Sequence, residues 1–379
     1  MNILLLSAYD TPSHQRWRTG LVSQFPEHKW TTLSLAPRYF SWRIRGNPVS
    51  WSREPALQRN YDLLIATSMV DLATLRGLCP QLAVVPSLLY FHENQFAYPL
   101  SQHQQHTLEP QMVTLYGAMA ATRLAFNSRY NRHTFLDGVD RLLTKMPDQV
   151  PAGIRGGLEA KSTVLPVPLE DALFATGTTA VRSQALPMRI LWNHRWEYDK
   201  GPDRLLALIQ ALPSELRLQF DIAGQQFRQQ PQSFETIQAL LRARGWLGQW
   251  GFVPAVVYSQ CLSKAHVVLS TAIHDFQGLS VLEAAAQGAL PLVPNRLAYT
   301  ELFPAECRYL SVFDNSDLAT HGAPVDESRA AAAALVSRYE QLSSGSLPVA
   351  PDLHHLGWIS LQNKYQQLML SLAHGSGEG

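Results

Sequence analysis

Two acids, Asp275 and Glu283, lie eight positions apart with Gly278 between them. The apolar run Ala265 to Leu269 precedes them and a second, Ala289 to Val293, follows. That pattern reads as strand, helix, strand, with Gly288 suited to the helix stop. On the helix Leu279, Leu282, Glu283 and Ala286 share one face, and Val281, Ala284 and Ala285 make the rest apolar too. The spacing therefore predicts a helix buried nearly all round, with Glu283 as its only charge. A buried carboxylate without partners costs several kcal/mol as an order of magnitude, so it demands donors, which sugar or ribose hydroxyls or an Arg would supply. The helix start at Gly278, Leu279 and Ser280 offers free N–H groups and a partial positive charge of about half a unit, which suits phosphate. Phosphate donors beside two carboxylates fit a nucleotide sugar. An ordinary βαβ unit with a structural Glu fits the same residues.

A second chemical stretch is Tyr90 to Tyr98, which comes straight off an apolar run. His92 can orient or deprotonate a hydroxyl, and Glu93 can set its tautomer or bind the acceptor. Asn94 and Gln95 extend the polar row. A metal reading is weak because no second His or Cys stands at ligand spacing. His103 and His106, in a Gln-rich loop, read as surface residues. After the first apolar run, His14 stands at a helix start with Trp17 and Leu21 at helical spacing. Facing a cleft and merely capping the helix are both open to it.

Cations recur at a third place. Arg195 and Lys200 lie between a strand end and a helix start, where two cations would neutralise a diphosphate. Gly224, Gly251 and Phe252 mark two further strand ends, where glycine permits close approach of a base or ribose. Residues 11–60 carry eight Lys or Arg against two Glu, and four of the nine Trp. Arg43 and Arg45, interleaved there with Tyr39, Phe40, Trp42 and Trp51, suit phosphates and bases. A solvated loop anchored by a few Trp explains the same composition.

The elements that must position these residues alternate. Strand-like runs at Ile3–Leu6, Thr31–Leu35, Leu63–Ala66, Leu88–Phe91 and Leu124–Phe126 are mostly separated by helical segments. This predicts an α/β fold with parallel sheets whose ligands bind beyond the strands' carboxyl ends. A length of 379 residues and 46% hydrophobic content fit two globular domains. Residues 1–168 are expected to form the first and 188–355 the second. Residues 169–187 would be the linker, within a stretch from 145 where Pro, Gly, Ala and Thr rise. Val164 to Pro168 reads as the last strand of the first domain. No Gly-x-Gly-x-x-Gly follows the first strand, which counts against a nicotinamide cofactor in that half. Three scattered cysteines fit neither a disulfide framework nor a zinc site. No apolar run reaches a membrane span, and the start reads as a strand rather than a signal peptide. A cytoplasmic protein is expected.

In order, Arg195 with Lys200, Gly251-Phe252-Val253 and the Asp275/Glu283 pair resemble the retaining GT-B glycosyltransferases of family 4. Ser13-His14 with Trp17, Trp42 to Gly46, Tyr90 to Gln95, Phe126 to Ser128 and Asn295 to Leu297 resemble, more narrowly, the tRNA-queuosine α-mannosyltransferases. The resemblance implies two Rossmann-like domains facing a cleft, with a final helix at 356–373 crossing back to the first. It implies GDP-mannose as donor, queuosine in tRNA as acceptor, no cofactor and no essential metal. It places His92 and Asp275 at the reaction centre. The donor falls to Arg195, Lys200, Gly224, Gly251, Phe252, Gly278, Leu279, Ser280 and Glu283. The acceptor falls to His14, Trp17, Arg43, Arg45, Glu93 and Asn94. Asp275 departs from the superfamily, which usually has Glu there.

The expected activity is transfer of mannose to tRNA with retention, by an enzyme needing no obligate protein partner. A lipid or polysaccharide acceptor would call for an exposed amphipathic basic helix in the first domain. Pro37, Gly46, Pro48 and Pro55 break the basic window and count against it. A catalytically weak RNA-binding relative is the other rival. Intact Arg195, Lys200 and Glu283 oppose it, and Asp275 favours it.

Overall fold

The structure is a computed structural model that describes residues 1–98, 108–175, 186–227, 230–311 and 325–375. His103, His106 and residues 176–185 of the expected linker lie outside the described residues. Twelve described strands form two parallel sheets of six. The first contains β1 (Asn2–Ser7), β2 (Lys29–Ser34), β3 (Leu63–Thr67), β4 (Ser87–Phe91), β5 (Arg123–Phe126) and β6 (Ser162–Val164), in the order β2-β1-β3-β4-β5-β6. The second contains β7 (Met188–Trp192), β8 (Leu218–Ala223), β9 (Leu247–Gly251), β10 (Val267–Leu269), β11 (Leu290–Pro294) and β12 (Arg308–Tyr309), in the order β12-β11-β10-β7-β8-β9. The central strands β3, β4, β10 and β11 are buried along their whole length, as a parallel sheet covered on both faces requires. In each sheet the chain order reverses once, beside β1 and β3 in the first and beside β7 and β10 in the second. Connections there leave to opposite sides, which opens a crevice at the carboxyl ends.

The described residues fall into two compact units, each with one sheet. Residues 1–98, 108–168 and 358–375 make up the first, and 169–175, 186–227, 230–311 and 325–357 the second. Each has its own core: Leu4, Leu6, Leu64, Leu89, Phe91, Phe126 and Phe135 lie in one, Ile190, Trp192, Phe220, Ile222, Leu269 and Leu292 in the other. The final helix, Trp358–Ala373, belongs to the first unit because Trp358, Leu361, Tyr365, Met369 and Leu372 are buried along one side. The Tyr365 hydroxyl takes the Trp17 indole N–H at 3.0 Å and donates to the Pro166 carbonyl at 2.9 Å.

Two local readings need correction. β6 covers Ser162–Val164 rather than Val164 to Pro168, since Pro166 and Pro168 have no N–H to give a ladder. The basic window is not a broken loop: Phe40–Trp51 is a helix running through both Gly46 and Pro48. Pro48 cannot satisfy the carbonyl of Ile44, and the Asn47 side-chain amide does so instead at 3.3 Å, with the Arg43 carbonyl at 2.8 Å. The same amide reaches the Met69 carbonyl at 3.1 Å, and its oxygen accepts the Asp71 N–H at 3.2 Å. Side-chain bonding thus replaces the backbone bond the proline removes, which residue-type counting does not reveal.

Candidate functional site

In the second unit, the carboxyl ends of β7 and β10 carry the chemistry. After β7 come Asn193, His194 and Arg195, then a 3-10 turn Tyr198–Lys200. After β10, Thr271 to Gln277 lead into the helix Leu279–Ala286. The loop is pinned from both sides. Thr271 donates its hydroxyl to the Lys200 carbonyl at 3.0 Å, and the N–H groups of Ile273 and His274 reach the Asp199 carbonyl at 2.8 and 3.1 Å. Arg296 holds the Ala272 carbonyl at 2.7 Å while pairing with buried Glu327, which Arg204 also meets.

Lys200 sits at the middle. It is buried and donates to the His274 carbonyl at 2.8 Å, with Asp199 at 3.1 Å and Asp275 at 3.7 Å. Burial opposes its charge, yet the two carboxylates hold it above the ordinary lysine value. Burial likewise opposes the Asp275 charge, and Lys200, His194 and the Gly278 N–H overcome it, so the carboxyl lies below the usual range. Asp275 accepts the Gly278 N–H at 2.8 Å and the Tyr299 hydroxyl at 3.2 Å. Gly278 has φ +72°, and an added Cβ would stand 2.7 Å from the Tyr299 ring. Left-handed backbone and this close approach both require glycine. No side chain caps the helix start, so its first-turn N–H groups stay available, at half-buried Leu279 and Ser280.

His194 is buried beside this lysine. Its Nδ1 is 3.4 Å from the Ser280 hydroxyl, and its Nε2 has no hydrogen-bond partner among the described residues. Burial and Lys200 push its pKa down to about 4, so the ring is neutral at physiological pH. Glu283, buried as expected, receives the Tyr258 hydroxyl at 2.9 Å. Neither an Arg nor a sugar is needed for that bond. The Asn193 amide joins the group, reaching the Tyr258 hydroxyl at 3.0 Å and the Ser280 carbonyl at 2.7 Å. Arg195 is more open than Lys200 and pairs with Glu197 at 2.9 Å.

The first unit has its own constellation, at the ends of β1, β3 and β4. His14 is buried, with Nδ1 2.6 Å from the Tyr9 carbonyl and Nε2 3.2 Å from the Glu93 carboxylate. With Glu93 ionised both partners accept, an arrangement that favours hydrogen on both ring nitrogens and so the charged form of His14. Burial works against this charge, but Glu93 outweighs it and raises the pKa. The His92 ring lies 4.1 Å from the His14 ring, tilted by 40°, and is enclosed by Trp17 and Tyr90. Burial and the charge of His14 drive its pKa far below the ordinary histidine value. Its Nε2 has no hydrogen-bond partner among the described residues. The Ser68 hydroxyl holds the Glu93 carbonyl at 3.1 Å and Asn127 holds the His92 carbonyl at 2.8 Å, which fixes the segment that presents these side chains. Ser128 caps the following helix, accepting the Asn131 N–H at 3.0 Å.

Several expected contacts are structural instead. Trp17 is 1% exposed, its N–H is taken by Tyr365 and it stacks on Tyr90, so it supports His92 and offers no acceptor surface. Asn94 is fully buried: its amide donates to the Asn131 carbonyl, the Asn131 side chain and Thr134, and its oxygen accepts the N–H groups of Phe96 and Ala97. That leaves it to shape the turn and not to meet a ligand. Arg45 is exposed but clamped to buried Asp71 at 2.6 Å, and Arg43 is half-buried. At Gly224 a Cβ would lie 1.8 Å from the His194 carbonyl, so the approach that demands glycine there is by the protein's own backbone. Gly251 has φ +86°, and Phe252 after it is 75% exposed.

Residues 2–169 match the family model described as tRNA-queuosine alpha-mannosyltransferase N-terminal. A protein of Drosophila melanogaster named tRNA-queuosine alpha-mannosyltransferase is 31% identical over 315 residues, which cover 81% of this chain and 83% of that one. This chain belongs to the tRNA-queuosine α-mannosyltransferase family. Among solved structures, Anabaena Alr3699/HepE in complex with UDP is similar at TM-score 0.63 and 15% identity, covering 98% of this chain and all of that one. Sucrose-phosphate synthase from Thermosynechococcus elongatus is similar at TM-score 0.62 and 14% identity, covering 99% of this chain and 100% of the other. The fold is GT-B, and the protein is a glycosyltransferase.

For a member of this family, the residues that sequence reasoning passed over are instructive. His194, Asp199, Tyr258 and Tyr299 all enter the second unit's network. His194 directly precedes Arg195 and Asp199 directly precedes Lys200, and that adjacency to the two cations was the available signal. Tyr258 and Tyr299 lie on separate helices, and nothing local marks them. Among the described residues no group of His, Cys, Asp or Glu is placed to hold a metal, and no helix is long and apolar enough to cross a membrane.

Proposed function

We propose that this protein transfers mannose from GDP-mannose to queuosine in tRNA, with retention at the anomeric carbon and without a metal ion. The observation that carries the reading is kinship with the Drosophila melanogaster protein of that name across most of both chains. The second unit's geometry supports a sugar-nucleotide site. Arg195 and the open first turn at Leu279 and Ser280 meet the diphosphate and stabilise departing GDP. Lys200 acts one step back, setting Asp275 and the loop. The Nε2 of His194 and the carboxylates of Asp275 and Glu283 bond ribose or sugar hydroxyls. In the first unit the Nε2 of neutral His92 bonds a substrate hydroxyl, held in place by His14 and Glu93. No protein nucleophile is assigned. A tRNA acceptor puts the work in the cytoplasm.

Mass spectrometry of nucleosides tests this directly. Queuosine-containing tRNA is incubated with the protein and GDP-mannose, with and without EDTA. The expected product is queuosine heavier by one hexose in both arms. Transfer from another sugar nucleotide alone would overturn the donor, and loss with EDTA restored by a divalent ion would overturn metal independence. A labelled lipid or polysaccharide with tRNA unchanged would overturn the acceptor.

A further inference from the structure

Among the exposed large side chains of the first unit, Trp42 has an unusual setting. It is 52% exposed, yet its ring is not loose. A Cβ built on Gly46, one turn on, would lie 2.5, 2.6 and 2.6 Å from three adjacent atoms of the indole benzo ring. Near-equal distances to three neighbouring ring atoms arise only when the approach is face-on, above the ring. The indole therefore lies flat along the helix Phe40–Trp51, with one face seated on the bare backbone of Gly46 and the other toward solvent. Any side chain at that position would lift the ring away.

The surroundings specify what such a face can receive. Residues 36–53 contain four arginines, Arg38, Arg43, Arg45 and Arg53, and no acid. Tyr39, just before the helix, is 71% exposed at φ 56°, with the Arg38 guanidinium 5.7 Å from its ring centroid. A bulky side chain held in left-handed backbone without burying its ring gains no packing from that conformation. On the outer side of the helix Val49, 60% exposed, lies two turns from Trp42, while Ile44, Pro48 and Trp51 turn into the core and Ser41, Arg45 and Ser50 border the pair. Two apolar side chains bordered by polar ones make too narrow a stripe to lie in a bilayer. Arg45 is held by Asp71, which leaves Arg38, Arg43 and Arg53 as the cations of this segment for phosphates. A flat aromatic face beside cations is the arrangement that takes an unstacked base.

We infer that Trp42, seated on Gly46, is a preformed stacking platform for an unpaired base of the RNA acceptor. This rests on the reading that tRNA is the acceptor. It goes beyond that reading by locating a base contact away from His92 and by assigning Gly46 to it.

Three variants and one probe test it. Binding of queuosine-containing tRNA is measured for the wild type, Trp42→Ala, Trp42→Phe and Gly46→Ala, each across a range of salt concentrations. Losing the ring should weaken binding roughly 5- to 150-fold with the salt slope unchanged, because stacking releases no counterions. Trp42→Phe should recover most of that loss. Gly46→Ala should weaken binding although it keeps Trp42 and adds a better helix former, and its melting temperature should not fall. The fluorescence present in the wild type and missing from Trp42→Phe should be quenched by tRNA. Wild-type affinity in Trp42→Ala and Gly46→Ala, with tRNA binding and transfer intact, overturns the platform alone. Absence of any tRNA binding by the wild type overturns both readings. Loss of binding to phosphatidylserine vesicles in Trp42→Ala, with tRNA binding unchanged, overturns the platform in favour of a membrane contact.

Discussion

The two units solve one problem with different parts. Each holds a buried, neutral histidine just past a strand end, His92 after β4 and His194 after β7, with an Nε2 that no described group satisfies. Each histidine is kept neutral by burial and by a cation beside it, and each cation is held by carboxylate. In the second unit the cation is Lys200, clamped by Asp199 and Asp275. In the first it is His14, clamped by Glu93. A lysine stays charged throughout the physiological range, whereas an imidazolium does not. The comparison therefore assigns pH sensitivity above the ordinary histidine value to the first unit and constancy to the second.

The largest effect tests the lysine clamp. Lys200→Ala strips two carboxylates of their buried partner, and removing one member of such a pair costs about 3–5 kcal/mol. A large drop in melting temperature is expected, together with loss of donor binding in the fraction that stays folded. A variant that melts like the wild type would show that the clamp is not what holds the loop.

Next comes the acid side. His194 has a folded pKa of about 4 against an ordinary 6.5, so below about pH 6.5 the unfolded chain takes a proton that the folded chain refuses. Stability should fall from pH 6.5 toward 4 by an amount on the order of 3 kcal/mol from this residue. His194→Gln should flatten that part of the curve in urea unfolding. Identical slopes in the two proteins would mean the ring is not desolvated as described.

The alkaline side belongs to His14. Its folded pKa is raised, so the stabilisation is whole below about 6.5 and is lost as pH rises through the folded value. The charge-assisted bond to Glu93 is worth about 1.5–3 kcal/mol. In Glu93→Gln this alkaline decline should disappear, and the His14 ring resonances should titrate lower by NMR. An unshifted titration would break the parallel with Lys200.

The smallest effect concerns Glu283. Tyr258→Phe removes one hydrogen bond to its carboxylate and should lower stability by about 1 kcal/mol. If Glu283 also meets donor hydroxyls, Glu283→Gln should lose more donor affinity than stability, as read by calorimetry. Equal losses in the two variants would reduce the pair to scaffold.

Much of this was legible without coordinates. Alternating apolar runs in the first half specified a parallel sheet, because a strand covered on both faces has little alternative to continuous Val, Ile and Leu, and the resemblance supplied the second. The helix after Asp275 was readable from its spacing and its two glycines, and Gly278 and Gly288 do take positive φ at its ends. Ser128 as a cap followed from local chemistry as well. These features depend on residues within a few positions of one another.

What the tertiary structure decided are the partners. Asp275 meets Lys200 and Tyr299, Glu283 meets Tyr258, His14 meets Glu93, and Trp17 meets Tyr365 across 348 positions. Side-chain type states how many bonds a group can make but not who makes them. That is why Asn94 and Trp17 read as ligand contacts and are framework, and why Pro48 read as a helix breaker while Asn47 repairs the break. Charge and hydrogen-bond demand are properties of the residue, whereas their satisfaction belongs to the fold.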